Sequence, residues 1–478
     1  MAMNEWSPIQ LPQILKVVYP RDFGVATVDE LEISRGPDLS LRISLQGDGG
    51  FTRDAVKVPG TEWKPSPISL LTQSSQSCTL HHYRSREGST RTENGRTRTQ
   101  VVGGAASLSI AFGHGAPLSI VEWLTNVPEL IWTRFTERTE PLTTIQREES
   151  NAPGGHARIA NVSCDHIALQ FQLPTLSMIR IGTVPPKFVT EGLPIDRPGF
   201  IEYHPGPQGL PDERLRHVAR RAFEFLFGGG LGLLGYSELD HSGQPVQVFM
   251  NSPYVPGGFG GALPPALLHK YWRNGLDEEL VARLVRRFVE LESDYDLDRA
   301  VWLCLHARNA PLEMAAGYVG AAFEILRRGY YKRPENESRS RLLPSSQWSA
   351  VAKRVSEAID SSMEFECCKS FRNELDDLKS RFSGLNDVSG SRLNRLFLSD
   401  LGLKFGDTEE MALAARNDAA HANRVDPSEN FASLRAYRAA HTLFARGLLT
   451  ILGGYVRYFD YSTFGFPVRD LSEAQGTD

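Results

Sequence analysis

The 478-residue sequence contains little cysteine, five residues in all. The number is odd, and two of the five, Cys367 and Cys368, are adjacent and therefore poorly placed to bond to each other. We do not expect a scaffold of disulfide bridges, and reduced thiols are the natural state of such a chain.

Long hydrophobic runs are also missing. The most apolar stretch, residues 223–236, contains Glu224 and five glycines and is shorter than the roughly 20 residues that cross a bilayer. The amino terminus has no cationic start followed by an apolar segment, which argues against a secretory signal. We therefore expect a cytoplasmic protein without a membrane partner.

Positive charge is not in excess, because 52 Lys and Arg face 57 Asp and Glu and give a formal net charge of -5. This balance excludes a broadly basic nucleic-acid coat protein, so any contact with RNA or DNA must come from a local concentration of cations. Hydrophobic residues make up 41% and charged residues 23%, which is ordinary for globular proteins. The length alone predicts about three domains.

The first 205 residues have the pattern of short strands separated by Gly and Pro. Asn94-Gly95 lies between two alternating arms and predicts a type I′ hairpin, because both residues tolerate positive φ. One helix is predicted in this half, near Ile120–Asn126. Strands are predicted at 13–18, 39–46, 99–112, 167–173 and 178–182.

From Pro211 onward the apolar residues fall at helical spacing, apart from a hairpin around His241-Ser-Gly243. Long helices with short connections are typical of a bundle. The expected fold class is therefore α+β, with a β-rich domain at 1–205, a helical connector at 206–310 and an all-α helical bundle at 311–478. Helices are predicted at 277–291, 298–307, 311–328, from Ser345 or Ser346, at 407–422, and from Pro427-Ser428 to about 459.

One glycine-rich segment, Gly230-Leu-Gly232-Leu-Leu-Gly235, matches the dinucleotide-binding fingerprint letter for letter. That fingerprint needs a strand before it and a helix after it, so that the helix amino terminus holds the pyrophosphate. Here a helix precedes and a hairpin follows, which favours a helix stop and a turn. We expect no cofactor.

Two clusters, Cys78-Thr-Leu-His81-His82 and Cys164-Asp-His166, contain residue types that bind zinc. The clusters are more than eighty residues apart and lack the paired short spacings of zinc sites, so ordinary strand residues are the favoured interpretation. Whether Cys78, His81 and Cys164 bind a metal stays open at this point.

The arms of the Asn94 hairpin are locally basic. Five arginines face two glutamates there, which suits either phosphate binding or a solvated hairpin face. The solvated face is favoured because Tyr83 is the one aromatic residue beside the arginines. The charged residues are Arg84, Arg86, Glu87, Arg91, Glu93, Arg96 and Arg98.

The most informative segment is Ala415-Arg416-Asn417-Asp418-Ala419-Ala420-His421. An Arg followed at short distance by a His is a weak pattern, and the chain has four: Arg197/His204, Arg299/His306, Arg416/His421 and Arg435/His441. The third pair differs because Asn417 directly follows the Arg and because a capped helix ends there. On that helix Asn417 and His421 share a face, whereas Arg416 is rotated by about 100°.

Together these features resemble the HEPN superfamily, whose signature is Arg, a polar residue that is often Asn, three to five further residues and then His, on a helical bundle. The β-rich first half, Glu324 on an earlier helix and the long last helix resemble in particular the bacterial anti-phage members of this family. The resemblance implies a metal-independent endoribonuclease of an abortive-infection defence, with tRNA often among the targets. It also implies a homodimer, in which two motifs meet across the bundle interface.

The residues suit this chemistry on their own terms. Attack of a ribose 2′-OH on the adjacent phosphate needs a proton acceptor, a proton donor and positive charge on the phosphorane. His421 exchanges protons near neutral pH, and Arg416 presents a planar fork to phosphate oxygens. Asn417 either orients the imidazole or binds a non-bridging oxygen. Glu324 either orients Arg416 or is a solvent-exposed helix residue.

Two competing interpretations remain. The segment around Arg416 and His421 could be the polar end of a helix, and the protein a non-catalytic HEPN dimerisation module that presents a β-rich ligand-binding domain. Arg435/His441 has the pattern of bundle packing or of an RNA-facing surface. In the catalytic interpretation, the first domain keeps the nuclease inactive until a phage component is sensed.

Overall fold

The structure, a computed structural model of the chain, divides into two compact units, Met1–Arg286 and Arg287–Asp478. It describes residues 13–20, 27–48, 67–113, 115–128, 138–140, 143–145, 167–173, 178–184, 195, 198–253, 278–362, 365, 372–420, 430–454 and 457–476. The division falls neither near 205 nor near 310, where the sequence places its boundaries. The physical reason is that two strands after residue 230 pair with strands from the first half.

Unit 1 is built on antiparallel strands. Fourteen of its described strands pair in the order β12-β13-β14-β9-β15-β16-β8-β5-β4-β1-β2-β3-β7-β6, and β10 pairs with β11. In chain order they are β1 (Gln13–Pro20), β2 (Thr27–Arg35), β3 (Leu41–Asp48), β4 (Ile68–Thr72), β5 (Ser77–His81), β6 (Arg84–Glu93), β7 (Arg96–Ala105), β8 (Ser107–Ala111), β9 (Ser119–Thr125), β10 (Arg138–Glu140), β11 (Thr143–Ile145), β12 (Ile167–Phe171), β13 (Ile179–Thr183), β14 (Gly199–Tyr203), β15 (Gly232–Leu239) and β16 (Pro245–Asn251).

Strand β1 joins two arms of this sheet. Its first half, Gln13 to Lys16, pairs with β2, and its second half, from Val17, pairs with β4 across a register shift. One hydrophobic cluster contains Leu31 of β2 and Ile43 of β3 together with buried residues of β5, β8 and β16. The sheet therefore folds over at β1, and its two arms share one core.

The hairpin predicted at Asn94-Gly95 is confirmed. The two residues link β6 to β7 and have φ angles of 51° and 76°, as a two-residue turn of this type requires. The other four strand predictions in this half are confirmed within a few residues, and the predicted strand 99–112 is divided at Ala106 into the larger part of β7 and the whole of β8.

The helix predicted near Ile120–Asn126 is wrong, because this segment forms the central strand β9. All seven residues of β9 are buried, so apolar residues occupy both faces, as the neighbours Ile120-Val121 and Trp123-Leu124 show, instead of alternating with polar ones. Trp123 packs in one hydrophobic cluster of unit 1, while the Glu122 carboxylate accepts a hydrogen bond of 2.7 Å from Arg220.

Arg220 belongs to α1 (Glu213–Phe227), the helix predicted after Pro211. Asp212 caps its amino terminus, and Gly228 in the left-handed conformation ends it. The glycine-rich segment that follows leads into β15, so a helix precedes it and a strand follows. The interpretation as a helix stop and turn is confirmed, and so is the hairpin around His241.

Unit 2 is helical. Within it α4 contacts α3, α9 and α10, which places α4 at the centre of the described bundle. The helices are α2 (Glu278–Tyr295), which contains the division between the units, α3 (Leu297–His306), α4 (Leu312–Lys332), α5 (Pro334–Glu337), α6 (Ser345–Ser362), α7 (Arg372–Phe382), α8 (Gly390–Asp400), α9 (Asp407–Ala420) and α10 (Asn430–Ile451). Within the parts of the chain that the structure covers, no helix has the length and apolar character of a bilayer span.

The long last helix ends earlier than predicted. Helix α10 stops at Ile451, because Gly453 adopts a φ of 72° and the amide of Gly454 bonds to the carbonyl of Leu449. A short hairpin of β17 (Arg457–Phe459) and β18 (Val468–Asp470) follows instead of further helix. Helices predicted from the other periodic segments of this half are confirmed to within a few residues at most ends.

A fully buried ion pair connects α9, α10 and the C-terminal segment. The Arg446 guanidinium of α10 donates a 2.6 Å hydrogen bond to the Glu409 carboxylate of α9, and neither side chain is exposed. Arg446 also donates to the carbonyl of Lys404, while Glu409 accepts from the amide of Gln475. Both charges are therefore compensated inside the protein.

We expect Arg446→Met to lower the free energy of unfolding by about 3–5 kcal/mol, because it leaves the Glu409 carboxylate buried without its cation. Arg457→Ala is the control, since its ion pair with Asp470 is exposed and such pairs contribute at most about 1 kcal/mol. Urea unfolding of both variants measures the difference. Equal stability losses would contradict the structural weight given to the buried pair.

Candidate functional site

The structure describes two of the four predicted site residues completely. Arg416 lies on α9, two turns after Glu409, and Glu324 lies in the middle of α4. Asn417 follows Arg416 on α9, but its side chain is outside the described residues, and so is His421 as a whole. The geometry of the site therefore begins from Arg416 and Glu324.

These two residues form an ion pair, although 92 positions separate them in the sequence. The Arg416 Nη2 group donates to Glu324 Oε2. Both side chains are half-buried, with 34% of the Arg416 side chain and 26% of the Glu324 side chain exposed. Of the two roles left open for Glu324, the structure thus has the carboxylate holding the guanidinium of Arg416.

Gly320 makes this contact sterically possible. It lies one turn before Glu324 on α4, and a Cβ atom at this position would stand 2.1 Å from Cγ and 2.6 Å from Cβ of Arg416. The aliphatic stem of Arg416 therefore crosses α4 directly over the glycine. A glycine within an otherwise helix-favouring segment, Ala-Ala-Gly-Tyr-Val-Gly-Ala-Ala, is the sequence signal that could have identified this close approach.

The Glu324 carboxylate is also contacted by a second arginine, Arg327, which lies on α4 like Glu324 itself. Arg327 is buried, and its Nη2 lies 3.4 Å from Glu324 Oε1. Its Nη1 donates to the carbonyl of Gly390 at 3.0 Å and to Oδ1 of Asn394, both on α8. Burial lowers the pKa of Arg327 from its ordinary value, and the Glu324 carboxylate opposes that shift. Sequence reasoning did not find Arg327 or Asn394.

The cluster carries more positive than negative charge. Arg328 also approaches Glu324, at 3.5 Å, so three guanidinium groups surround one carboxylate and leave a net charge of two. Arg328 is exposed and Arg416 is partly exposed, so the cationic side is open to solvent. A planar, always charged guanidinium in this position suits a phosphate group.

The basic hairpin of unit 1 has a different character. Strand β6 of this hairpin is almost entirely exposed. Two arginine side chains of the hairpin, one on β6 and one on β7, form ion pairs with carboxylates. Arg91 lies 3.3 Å from Glu93, and Arg98 lies 3.2 Å from Asp29. These contacts support the interpretation as a solvated face.

The residues suggested for zinc are only partly described. Cys78 is fully buried in the core shared by the two arms of the sheet, and burial raises the pKa of its thiol to about 12. Cys164 and His166 lie outside the described residues. Among the side chains that the structure covers, no three of the His, Cys, Asp and Glu type are grouped to hold a metal ion.

The pair Arg435/His441 does not come together. The His441 ring packs edge-on against Tyr437 at 6.4 Å, and burial lowers the pKa of the imidazole to about 4. Arg435 instead donates to the carbonyl of Ser462. His441 is therefore a packing residue, as one of the two interpretations has it, and it is uncharged at neutral pH.

Comparisons of the chain with protein-family models, with curated proteins and with solved structures give no match.

The close approach at Gly320 gives a direct prediction. Gly320→Ala places a methyl group against the Arg416 stem, and we expect it to lower the free energy of unfolding by about 1–3 kcal/mol and to move the guanidinium away from Glu324. Gly447→Ala on α10 is the matched control. Its nearest neighbours would be 3.8 and 4.0 Å away, so the higher helix propensity of Ala, about 1 kcal/mol, should make it neutral or stabilising. Equal urea midpoints for the two variants would rule out the crossing described here.

Proposed function

We propose that the protein is a metal-independent endoribonuclease of the HEPN type that acts in the cytoplasm in defence against phage. The observation that carries the proposal is the cluster at Gly320, where α4 and α9 hold the Arg416 guanidinium against Glu324 with a net charge of two. His421 follows the described end of α9 directly, so the residue that exchanges protons near neutral pH is one position from that end.

In this mechanism each residue has a separate task. Arg416 binds the non-bridging oxygens of the scissile phosphate and stabilises the charge of the phosphorane. His421 takes a proton from the attacking 2′-OH or gives one to the leaving 5′ oxygen, and Asn417 orients the imidazole or binds a phosphate oxygen. Glu324 and Arg327 position Arg416. The products are a cyclic phosphate and a 5′-OH.

A single His cannot readily be acid and base in one turnover, so two copies of the chain supply the two groups. A partly exposed apolar stripe on α4 offers a surface for such a dimer. Its members, spaced three or four residues apart so that they share one face, are Met314, Tyr318, Ala321 and Ile325. Met314 and Tyr318 are 42% and 37% exposed, and Ile325 is adjacent in sequence to Glu324.

The β-rich part of the chain has a regulatory role in this proposal. Uncontrolled RNA cleavage kills the host, so unit 1 keeps the nuclease inactive until it senses a phage component. The substrate is cellular or viral RNA, with tRNA one candidate.

The activity prediction concerns the three central residues. We expect His421→Ala to slow cleavage of a labelled RNA at least about 100-fold, and Arg416→Ala about 100- to 1,000-fold, because a proton-transfer group and a charge-stabilising group are lost. Glu324→Gln should have a smaller effect, about tenfold, because it loosens Arg416 without removing it. Because unit 1 holds the nuclease inactive in this proposal, the assay contains lysate from phage-infected cells as activator together with EDTA, and Arg354→Ala, at an exposed position of α6, is the control.

Wild-type rates for both His421→Ala and Arg416→Ala would exclude the nuclease. Loss of activity in EDTA alone would point instead to a metal enzyme. Addition of lysate from phage-infected cells tests the regulation, because equal rates with and without lysate would contradict it.

One observation favours the alternative, a non-catalytic HEPN module that dimerises and presents the β-rich unit for ligand binding. Arg416 is already engaged by a carboxylate, as expected for a residue that only stabilises the contact between α4 and α9. The nuclease interpretation accounts for the same geometry if Arg416 pairs with Glu324 in the absence of RNA and exchanges this carboxylate for a phosphate group when RNA binds. The cleavage assay separates the two functions.

The dimer has its own test. We expect Tyr318→Glu to shift the molar mass measured by light scattering from that of two chains to that of one, because a charge in the stripe must then be buried at the interface. Val351→Glu, at an equally exposed apolar position of α6, should leave the mass unchanged. A Tyr318→Glu protein with the wild-type mass would show that this stripe is not the interface.

A further inference from the structure

Three large aromatic side chains near the start of α10 and in the β17–β18 hairpin are exposed. Phe431 is 78% exposed, Phe464 is completely exposed and Phe466 is 39% exposed. Scattered single apolar residues on a surface need no explanation, but aromatic rings grouped with arginines are a recurrent feature of single-strand binding surfaces.

Contacts between α10 and the β17–β18 hairpin place the aromatic residues of the hairpin on the side of α10 that carries Phe431. Phe431, Arg435 and Arg438 are spaced by four and three residues and share a face of α10. Arg435 Nε donates to the carbonyl of Ser462 at 3.1 Å, and the Arg438 guanidinium lies 5.4 Å from the ring centre of Phe466. The turn that carries Phe464 and Phe466 thus lies along the helix face that begins with Phe431.

The conformation of this turn is fixed by hydrogen bonds to a buried carboxylate. The buried Asp460 carboxylate accepts hydrogen bonds from the side chains of Ser462, Thr463 and Arg469. Phe466 has a φ of 51°, an unfavourable angle for a bulky residue. Such strain persists only where the surroundings enforce it, and it is concentrated at functional positions.

The arginines of this surface are available for an anion. In the described parts of the chain, no carboxylate lies within ion-pair distance of Arg435 or Arg438. A polyanion that also has flat rings can contact both the arginines and the aromatic side chains of this surface. Single-stranded nucleic acid combines these properties, because its bases stack on aromatic rings and its phosphates bind guanidinium groups.

We propose that Phe431, Phe464 and Phe466, together with Arg435 and Arg438, form an aromatic platform that binds the single-stranded part of the RNA substrate. This inference rests on the proposed function of unit 2. Phe431 follows His421 by ten residues in the sequence. The platform then selects single-stranded RNA and holds it beside the cleavage site.

The test measures binding without cleavage. The probe is a fluorescein-labelled, 12-nucleotide 2′-O-methyl RNA of mixed sequence, which has no free 2′-OH to attack, titrated in EDTA with the full-length protein. Fluorescence anisotropy should show a Kd raised between about fivefold and about 150-fold by Phe464→Ala and by Phe431→Ala, since each removes one stacking partner. Phe464→Trp should retain binding, and Phe464→Leu should not.

Two controls are matched to these variants. Phe365→Ala removes another exposed aromatic residue of unit 2 and should leave the Kd unchanged. Arg438→Ala should lower the slope of log Kd against log salt concentration by about 0.7, the value for one lost phosphate contact to a single strand, while Arg354→Ala should not. The phenylalanines that are replaced are exposed, so these variants keep the fold.

The outcomes separate this inference from the nuclease assignment. Unchanged Kd values for Phe464→Ala and Phe431→Ala overturn the platform, and the cleavage results then stand alone. Platform-dependent binding by a protein that cleaves no RNA supports the platform and removes the nuclease. If the same variants leave the Kd unchanged but alter the molar mass, the surface is a contact between copies of the chain and the platform is overturned.

Discussion

The Arg446 guanidinium and the Glu409 carboxylate lie 2.6 Å apart with neither side chain exposed, and the geometry of unit 2 depends on this contact. Two buried charges tolerate little displacement, because separating them leaves each one desolvated and unpaired. The pair therefore fixes how far α9 is rotated relative to α10. Arg416 lies seven residues after Glu409, on the same face of α9, so its direction is fixed by the same contact. Gly447 of α10 lies next to Phe323 and Leu326 of α4, and this contact fixes the position of α4 along α10. It thereby also fixes the point along α4 at which the Arg416 side chain crosses.

The cluster that results is a compromise between stability and availability. A guanidinium without a partner on a half-buried surface would sample many rotamers, and ordering it at the moment of binding would cost conformational entropy. Glu324 removes part of that cost by holding Arg416 in reach of solvent. Because Arg327 and Arg328 share the same carboxylate, the ion pair does not neutralise the site, and an arriving phosphate still meets two positive charges. The tethered arginine is thus compatible with the proposed chemistry.

Local signals allowed much of this structure to be predicted. Asn94-Gly95 specifies its turn through its own backbone preferences, and the helical spacing of apolar residues after Pro211 indicates α1. The prediction failed at β9, where burial on both faces removed the alternation of apolar and polar residues by which a strand is distinguished from a buried helix. Likewise the boundary near 205 followed a change in composition, whereas β15 and β16 return to the sheet. At the site, Arg416 and Glu324 were selected through their motif. The glycine at 320 within a helical segment is a local signal of a close approach, but its partner Arg416 and the contacts of Arg327 with α8 join distant segments, which no local pattern contains.

A chain with a net charge of -5 repels RNA as a whole, so recognition must depend on where its cations are free. The basic hairpin of unit 1 has the most arginines in sequence, yet Asp29 and Glu93 compensate two of them. Arg84, Arg86 and Arg96 of the same hairpin are exposed and have no ion pair in the described part of the chain, so pairing alone does not separate the two surfaces. In unit 2, three arginines share the single carboxylate of Glu324, and Arg435 and Arg438 lie in the face of α10 that also carries exposed aromatic rings. The neighbours of each cation, which only the fold determines, therefore decide which surface suits a polyanion that also has flat rings.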